Sequence, residues 1–264
     1  MKIYHIDAFT DALFKGNPAG VVVLNNVDIS DVLKQSIARE LKHSETAFVL
    51  INDSGVNLRW FTPETEVDLC GHATIASAHI LWESGAVDTR EEIDFQTRSG
   101  TLQAVYNRGK VELDFPQLFV DECEQNKTLN EAFGIEPVYT GRNLKRYLLQ
   151  IESPDDLREL QPDFELLKQV DLGAFMITCK SDRTGYDFLS RFFAPAVGIP
   201  EDPVTGSAHC YLAPHWSKIL NKETMVGFQE SSRTGIVECE LKEDNRLKIS
   251  GEAKTVFEAE MNIT

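Results

Sequence analysis

Two short stretches of the chain collect side chains that could move a proton. In the first half, Glu45 opens the apolar run Thr46-Ala47-Phe48-Val49-Leu50, and Cys70-Gly71-His72 follows further along. In the second half, Glu201-Asp202-Pro203 precedes Thr205-Gly206-Ser207. On a strand, Glu45 shares a face with Ala47 and Val49, while Phe48 and Leu50 line the other. A carboxylate at the lip of such a strand loses hydration, which lifts its pKa toward the range of a general acid or base. Strand ends are also often exposed, so solvated surface stays open as the other reading. Cys70 ahead of a helix start has the setting of a stabilised thiolate. A racemase with two opposed thiols needs a second cysteine at the matching place, which Thr205 holds, so a buried small residue is the favoured reading of Cys70. His72, in the first turn of a buried helix, is expected to stay neutral and to donate or relay a proton. Asp202 and Ser207 carry plain alternatives, a turn residue before Pro203 and a small helix starter.

Gly71 and Gly206 each open a helix of small residues. Helix starts present unsatisfied N–H groups and the positive end of the dipole, so they suit an anion without any lysine. Lacking a Cβ, both glycines would let a ligand approach the backbone closely; relief of crowding is the alternative. The expected donors are backbone groups around His72-Ala73 and Ser207-Ala208, and the expected ligand is a small carboxylate.

The elements that must position these groups come as two copies of one template. Arg59-Trp60-Phe61-Thr62-Pro63 reappears as Arg191-Phe192-Phe193-Ala194-Pro195, each followed by a glycine-led helix and a hairpin. This predicts an α+β fold of two pseudo-symmetric lobes, residues 1–116 and 117–264, facing one cleft, with the last strand free to pack back on the first lobe. Each lobe is expected to hold a central helix wrapped by a curved, mostly antiparallel sheet. The first central helix, about 72–83, is apolar on every side and therefore buried, and Ser84-Gly85 stops it. The second, about 206–220, carries Pro214, which should bend it or break its hydrogen-bond ladder. Gly16-Asn17-Pro18-Ala19-Gly20 reads as a turn before the strand Val21–Leu24, and Asp28 as an N-cap. Aligning Ala47-Phe48 with Ala174-Phe175 sets Leu172 in the place of Glu45.

Composition bounds the function. With 264 residues, 42% hydrophobic and 26% charged, the chain is a folded protein rather than a disordered one. A net charge of −16, with no run of Lys and Arg longer than two, argues against nucleic acid. No apolar stretch approaches membrane-spanning length, and Met1–Ile6 reads as a strand rather than a signal peptide, so a cytoplasmic location is expected. Five cysteines without a C-x-x-C pair point to reduced thiols. His209, Cys210 and His215 lack a second ligand pair at metal spacing, so no metal is expected.

Ser44-Glu45-Thr46, Asp68-Leu69-Cys70-Gly71-His72-Ala73-Thr74 and Glu201-Asp202-Pro203-Val204-Thr205-Gly206-Ser207-Ala208-His209, with Gly16-Asn17-Pro18, resemble the phenazine-biosynthesis PhzF-like family over essentially the whole chain. The resemblance implies the fold of diaminopimelate epimerase and a cofactor-free isomerase. It implies that Glu45 removes a proton from one ring carbon and returns it to another, assisted by His72 and Asp202. A substrate contact is implied at Ser207, and Asn17, Gly71, Ala73, Gly206 and Ala208 complete the expected binding set. Substrate identity does not transfer with a fold. Two other classes stay open: an amino-acid epimerase or racemase using Cys70, and a non-catalytic small-molecule-binding or interaction protein. A homodimer is a further open expectation.

Overall fold

The computed structural model describes residues 1–143 and 146–262. The chain divides into Met1–Asp114 with Lys248–Thr264, and Phe115–Leu247. Where the sequence suggested a boundary after residue 116, the division falls after Asp114 and again after Leu247. The C-terminal stretch thereby belongs to the first unit.

The first unit runs β1 (Lys2–Ala8), β2 (Asn17–Asn25), α1 (Asp31–Leu41), β3 (Thr46–Asn52), β4 (Gly55–Phe61), β5 (Glu66–Val67), α2 (Gly71–Glu83), β6 (Ile93–Thr97), β7 (Gly100–Asn107) and β8 (Lys110–Pro116). Antiparallel β1–β2 is followed by parallel β2–β3, antiparallel β3–β4, parallel β4–β6 and antiparallel β6–β7. Two local expectations need correction. The stretch read as a turn is strand from Asn17 onward. Pro18 pairs with Asp7 of β1, and β3 joins β2 only from Gly20, so the missing N–H of Pro18 leaves no gap in that second ladder. The N-cap of α1 is Ser30, whose Oγ accepts from Leu33 N at 3.3 Å. Asp28 instead holds the buried Lys34 Nζ at 2.7 Å.

Helix α2 packs against β1, β2 and β3. Ala73, Ile75, Ala76, Ala78 and Leu81 are all fully buried, and each large apolar side chain among them contributes ~1.5–3 kcal/mol. Its polar members bond inward: Thr74 Oγ1 donates to Cys70 O at 2.6 Å and Ser77 Oγ to Ala73 O at 2.7 Å. The helix ends at Ser84, with Gly85 at φ 72°.

The second unit contains β9 (Asp121–Glu122), α3 (Lys127–Phe133), β10 (Tyr139–Arg142), β11 (Tyr147–Gln150), α4 (Pro154–Glu159), α5 (Phe164–Leu167), β12 (Phe175–Lys180), β13 (Phe188–Phe193), α6 (Gly206–Leu220), β14 (Thr224–Gln229) and β15 (Gly235–Leu241). After β16 (Arg246–Gly251), β17 (Ala253–Glu260) returns to the first unit and pairs antiparallel with β1. The pairing sequence of the first unit recurs: β10–β11 antiparallel, β11–β12 parallel, β12–β13 antiparallel, β13–β14 parallel, β14–β15 antiparallel. A core built on Phe133, Phe175 and Phe193 lies under these strands. Helix α6 continues through Pro214. The carbonyl of Cys210, which Pro214 cannot satisfy, accepts the Leu118 N–H at 2.9 Å.

Register corrects the alignment of the halves. Phe61 lies opposite Thr46, and its repeat equivalent Phe193 lies opposite Phe175. The counterpart of Glu45 is therefore Ala174, two positions from the expected Leu172. No helix among the described residues is long and apolar enough to cross a membrane.

Candidate active site

Glu45 sits immediately before β3, and Cys70 caps α2 without a side-chain hydrogen bond of its own to the helix. That leaves the Cys70 thiol and the first-turn histidine turned toward the carboxyl. His72 Nε2 lies 3.4 Å from Glu45 Oε2 and 3.3 Å from Ser44 Oγ. Cys70 Sγ lies 3.5 Å from His72 Nδ1. The side chains of Glu45 and His72 are only 16% and 8% exposed. Burial pushes the Glu45 carboxyl above its usual range, with hydrogen bonds from Ser44 and Cys70 working in the opposite direction. The sequence left Glu45 between a solvated and a desolvated carboxyl, and its burial makes it the desolvated one.

A second polar group lies near enough for the charge of His72 to act on it. His43 Nε2 is 2.8 Å from His5 Nδ1, and His5 Nε2 is 3.7 Å from Asp7 Oδ1. Burial, reinforced by the charges of His5 and His72, holds His43 down to about 4, so it is neutral at physiological pH. Gly20 makes room for it: a Cβ there would stand 2.9 Å from His43 Nδ1. One ligand-type atom from each of Glu45, Cys70 and His72 lies within 4.8 Å of the others, a grouping that could hold a metal ion. No linear spacing announces it, because the carboxylate and the Cys-x-His pair belong to different elements.

In the second unit, Asp202 is buried and its Oδ2 accepts from Thr205 Oγ1 at 2.5 Å. Gln229 braces the corner by donating to Asp202 O at 2.7 Å and accepting from Thr205 N at 2.8 Å. His209, fully buried, bonds Thr205 O through Nδ1 at 2.9 Å, and burial holds it down to about 4. Ser207, the second residue of α6, accepts a 3.0 Å bond from Arg146 Nη2.

Of the remaining sequence-derived positions, Asn17 opens β2 and is buried, Gly71 and Gly206 open α2 and α6, and Ala73 and Ala208 are buried in the first turns. The N–H of Ala208 already donates to Thr205 O at 3.1 Å, so it is committed to the helix start. Sequence reading missed His43, the Thr205–Gln229 brace and Arg146. Only His43 left a trace, as a histidine two positions from the charge that fits its run least.

A model of the phenazine biosynthesis-like (PhzC-PhzF) family matches residues 6–259. A relative from Halalkalibacterium halodurans, described as an uncharacterized isomerase, is 48% identical over 98% of this chain and 97% of its own. The crystal structure of a phenazine biosynthesis PhzF family protein from Enterococcus faecalis superposes with a TM-score of 0.94 at 37% identity, covering 99% of each chain. A hydroxyproline epimerase from Agrobacterium vitis shares the fold at a TM-score of 0.61 and 11% identity, covering 98% of this chain and 91% of its own.

Proposed function

The chain belongs to the phenazine biosynthesis-like (PhzC-PhzF) family, and from that premise we propose that this isomerase-type enzyme moves a proton between carbons of a small carboxylic acid, with Glu45 as general acid and base and without a cofactor. The observation that carries the reading is the buried Glu45 carboxyl in hydrogen-bonding company with Ser44, Cys70 and His72. Ionised, Glu45 takes a proton from a carbon whose electrons spread into the conjugated carboxylic acid. Burial then favours the neutral acid it has become, which returns the proton to a second carbon. One group serves both transfers. His72, 3.4 Å away, orients the carboxyl and can pass a proton to it. Asp202 is assigned an assisting role, and Asn17, Gly71, Ala73, Gly206, Ser207 and Ala208 are assigned to substrate contacts, all resting on the motifs that this chain shares with the family.

The test is incubation of the protein in deuterated water with a panel of cyclic and amino carboxylic acids. Carbon-bound deuterium in a product identifies the substrate class. Equal incorporation by wild type and Glu45→Gln at equal ligand occupancy would remove Glu45 from the mechanism. A second reading, an epimerase with Cys70 as one base, has one observation in its favour, the thiol 3.5 Å from His72 Nδ1. Thr205 at the matching place supplies no second thiol. Loss of turnover in Cys70→Ala by several orders of magnitude, with the fold intact, would establish it.

A further inference from the structure

Three partly buried arginines, Arg59, Arg158 and Arg191, hold carboxylates. Arg59 grips Glu66 with two bonds of 2.7 Å and also reaches Asp31. Arg191 grips Glu201 at 2.7 and 2.9 Å. Arg158 reaches Asp155, Asp182 and Glu230. Arg146, which precedes β11, has no carboxylate at ion-pair distance among the described residues. Its Nη2 donates to the Ser207 hydroxyl at 3.0 Å, and its Nη1 is buried with no hydrogen-bond partner. The guanidinium carbon lies 5.2 Å from the Phe192 ring centre and 5.4 Å from that of Tyr211, so two aromatic faces fix its plane.

A buried cation left without a counter-ion is costly, and a guanidinium with an uncommitted N–H is a preformed fork for an oxyanion. Burial lowers the Arg146 pKa, while Tyr211, Cys210 and Asp202 act the other way. Nor does the shared fold require a cation here. Tyr147 pairs with Phe175 as Gly20 pairs with Thr46, so the first-unit counterpart of Arg146 is Ala19.

We propose that Arg146, with Ser207, is the seat for the negatively charged group of the ligand, and that the guanidinium takes a carboxylate through Nη1. This deepens the small-carboxylate reading and rests on it for the ligand's identity, although anion binding itself can be measured without any turnover. It adds a side-chain cation to the backbone N–H groups that the sequence named as the chief donors.

The experiment measures benzoate affinity by calorimetry, and the rise in melting temperature on adding benzoate or inorganic sulfate, for wild type, Arg146→Met and Arg146→Lys. Expected is a loss of benzoate affinity of about 10- to 100-fold in Arg146→Met, the scale of a charge-assisted hydrogen bond, with a smaller loss in Arg146→Lys. The anion-dependent rise in melting temperature should shrink in the same order. Without anions, Arg146→Met should melt no lower than wild type, because an uncompensated buried charge has been replaced by an apolar chain of similar length. A purely structural arginine predicts the reverse, a lower melting temperature with benzoate affinity unchanged, and that result overturns the proposal. Wild type that responds to neither benzoate nor sulfate overturns it as well. Because Glu45→Gln leaves this seat untouched, its loss of deuterium exchange with normal benzoate binding separates failure of the proton-transfer reading from failure of the anion seat.

Discussion

The starts of α2 and α6 pose the same backbone problem and are finished with different side chains. At α2, Cys70 leaves the helix uncapped by its side chain, and the nearby carboxyl of Glu45 is partnered by a serine, a thiol and an imidazole at 3.4 Å. At α6, Thr205 bonds the carboxyl of Asp202 at 2.5 Å, and Gln229 clamps both residues. A duplicated frame thus holds one carboxyl whose charge the surroundings oppose and one fastened into a network. The first arrangement suits a group that must gain and lose a proton, and the second suits a group that must stay where it is.

The sharpest way to break this contrast is Glu45→Gln. Deuterium exchange should fall by ~10²–10⁴-fold, the usual loss of a general acid–base group. Asp202→Asn, which keeps shape and an acceptor oxygen, should lose much less, and comparable losses would erase the distinction. Stability should separate the two in the opposite sense. Thr205→Val removes the hydroxyl that Asp202 accepts from, costing ~1–3 kcal/mol in thermal denaturation. Glu45→Gln should melt no lower than wild type at pH 7.

The pH dependence follows from the same asymmetry. The pKa of Glu45 is raised by folding, so ionised Glu45 opposes folding at neutral pH. The advantage of Glu45→Gln should therefore be present at pH 7 and vanish as pH falls below the ordinary carboxylate value of about 4.5. Exchange by wild type should also fall on the acid side, at a pKa above that value. Histidines behave inversely. His43 and His209, held down to about 4 from 6.5, contribute stability that is complete above pH 6.5 and is lost as pH falls through 4. His209→Asn should flatten part of that decline in melting temperature. The smallest effect belongs to Cys70→Ala, expected to keep most exchange activity because the thiol only partners the carboxyl.

Much of the fold was legible in the sequence alone. Six apolar side chains around one helix allow only a buried α2, and the Arg-aromatic-Phe repeat marked two copies of one pairing scheme. Glu45 stood out because a charge ahead of an apolar strand is a local conflict, and the structure does bury it. The failures share a cause, since each needed register or long-range contact. The Ala-Phe dipeptide that suggested Leu172 repeats by coincidence of type, whereas cross-strand partners fix Ala174 as the counterpart. Lys145-Arg146 in a polar stretch reads as solvated surface, and nothing local reveals that Arg146 turns into Phe192 and Tyr211. His5 and His43 meet only after β1, β2 and β3 have paired.

The return of β17 to β1 sets a timetable for synthesis on the ribosome. Strand β1 is flanked by β2 and β17, and the chain between β8 and β17 includes the whole second unit. At roughly 5–20 residues per second, the far edge of β1 waits on the order of ten seconds for its partner after the rest of its unit has emerged. During that interval an unpaired strand edge is presented to other nascent chains. A circular permutant that begins at Glu252, between β16 and β17, and continues through Met1 would deliver β17 first and close that edge at once.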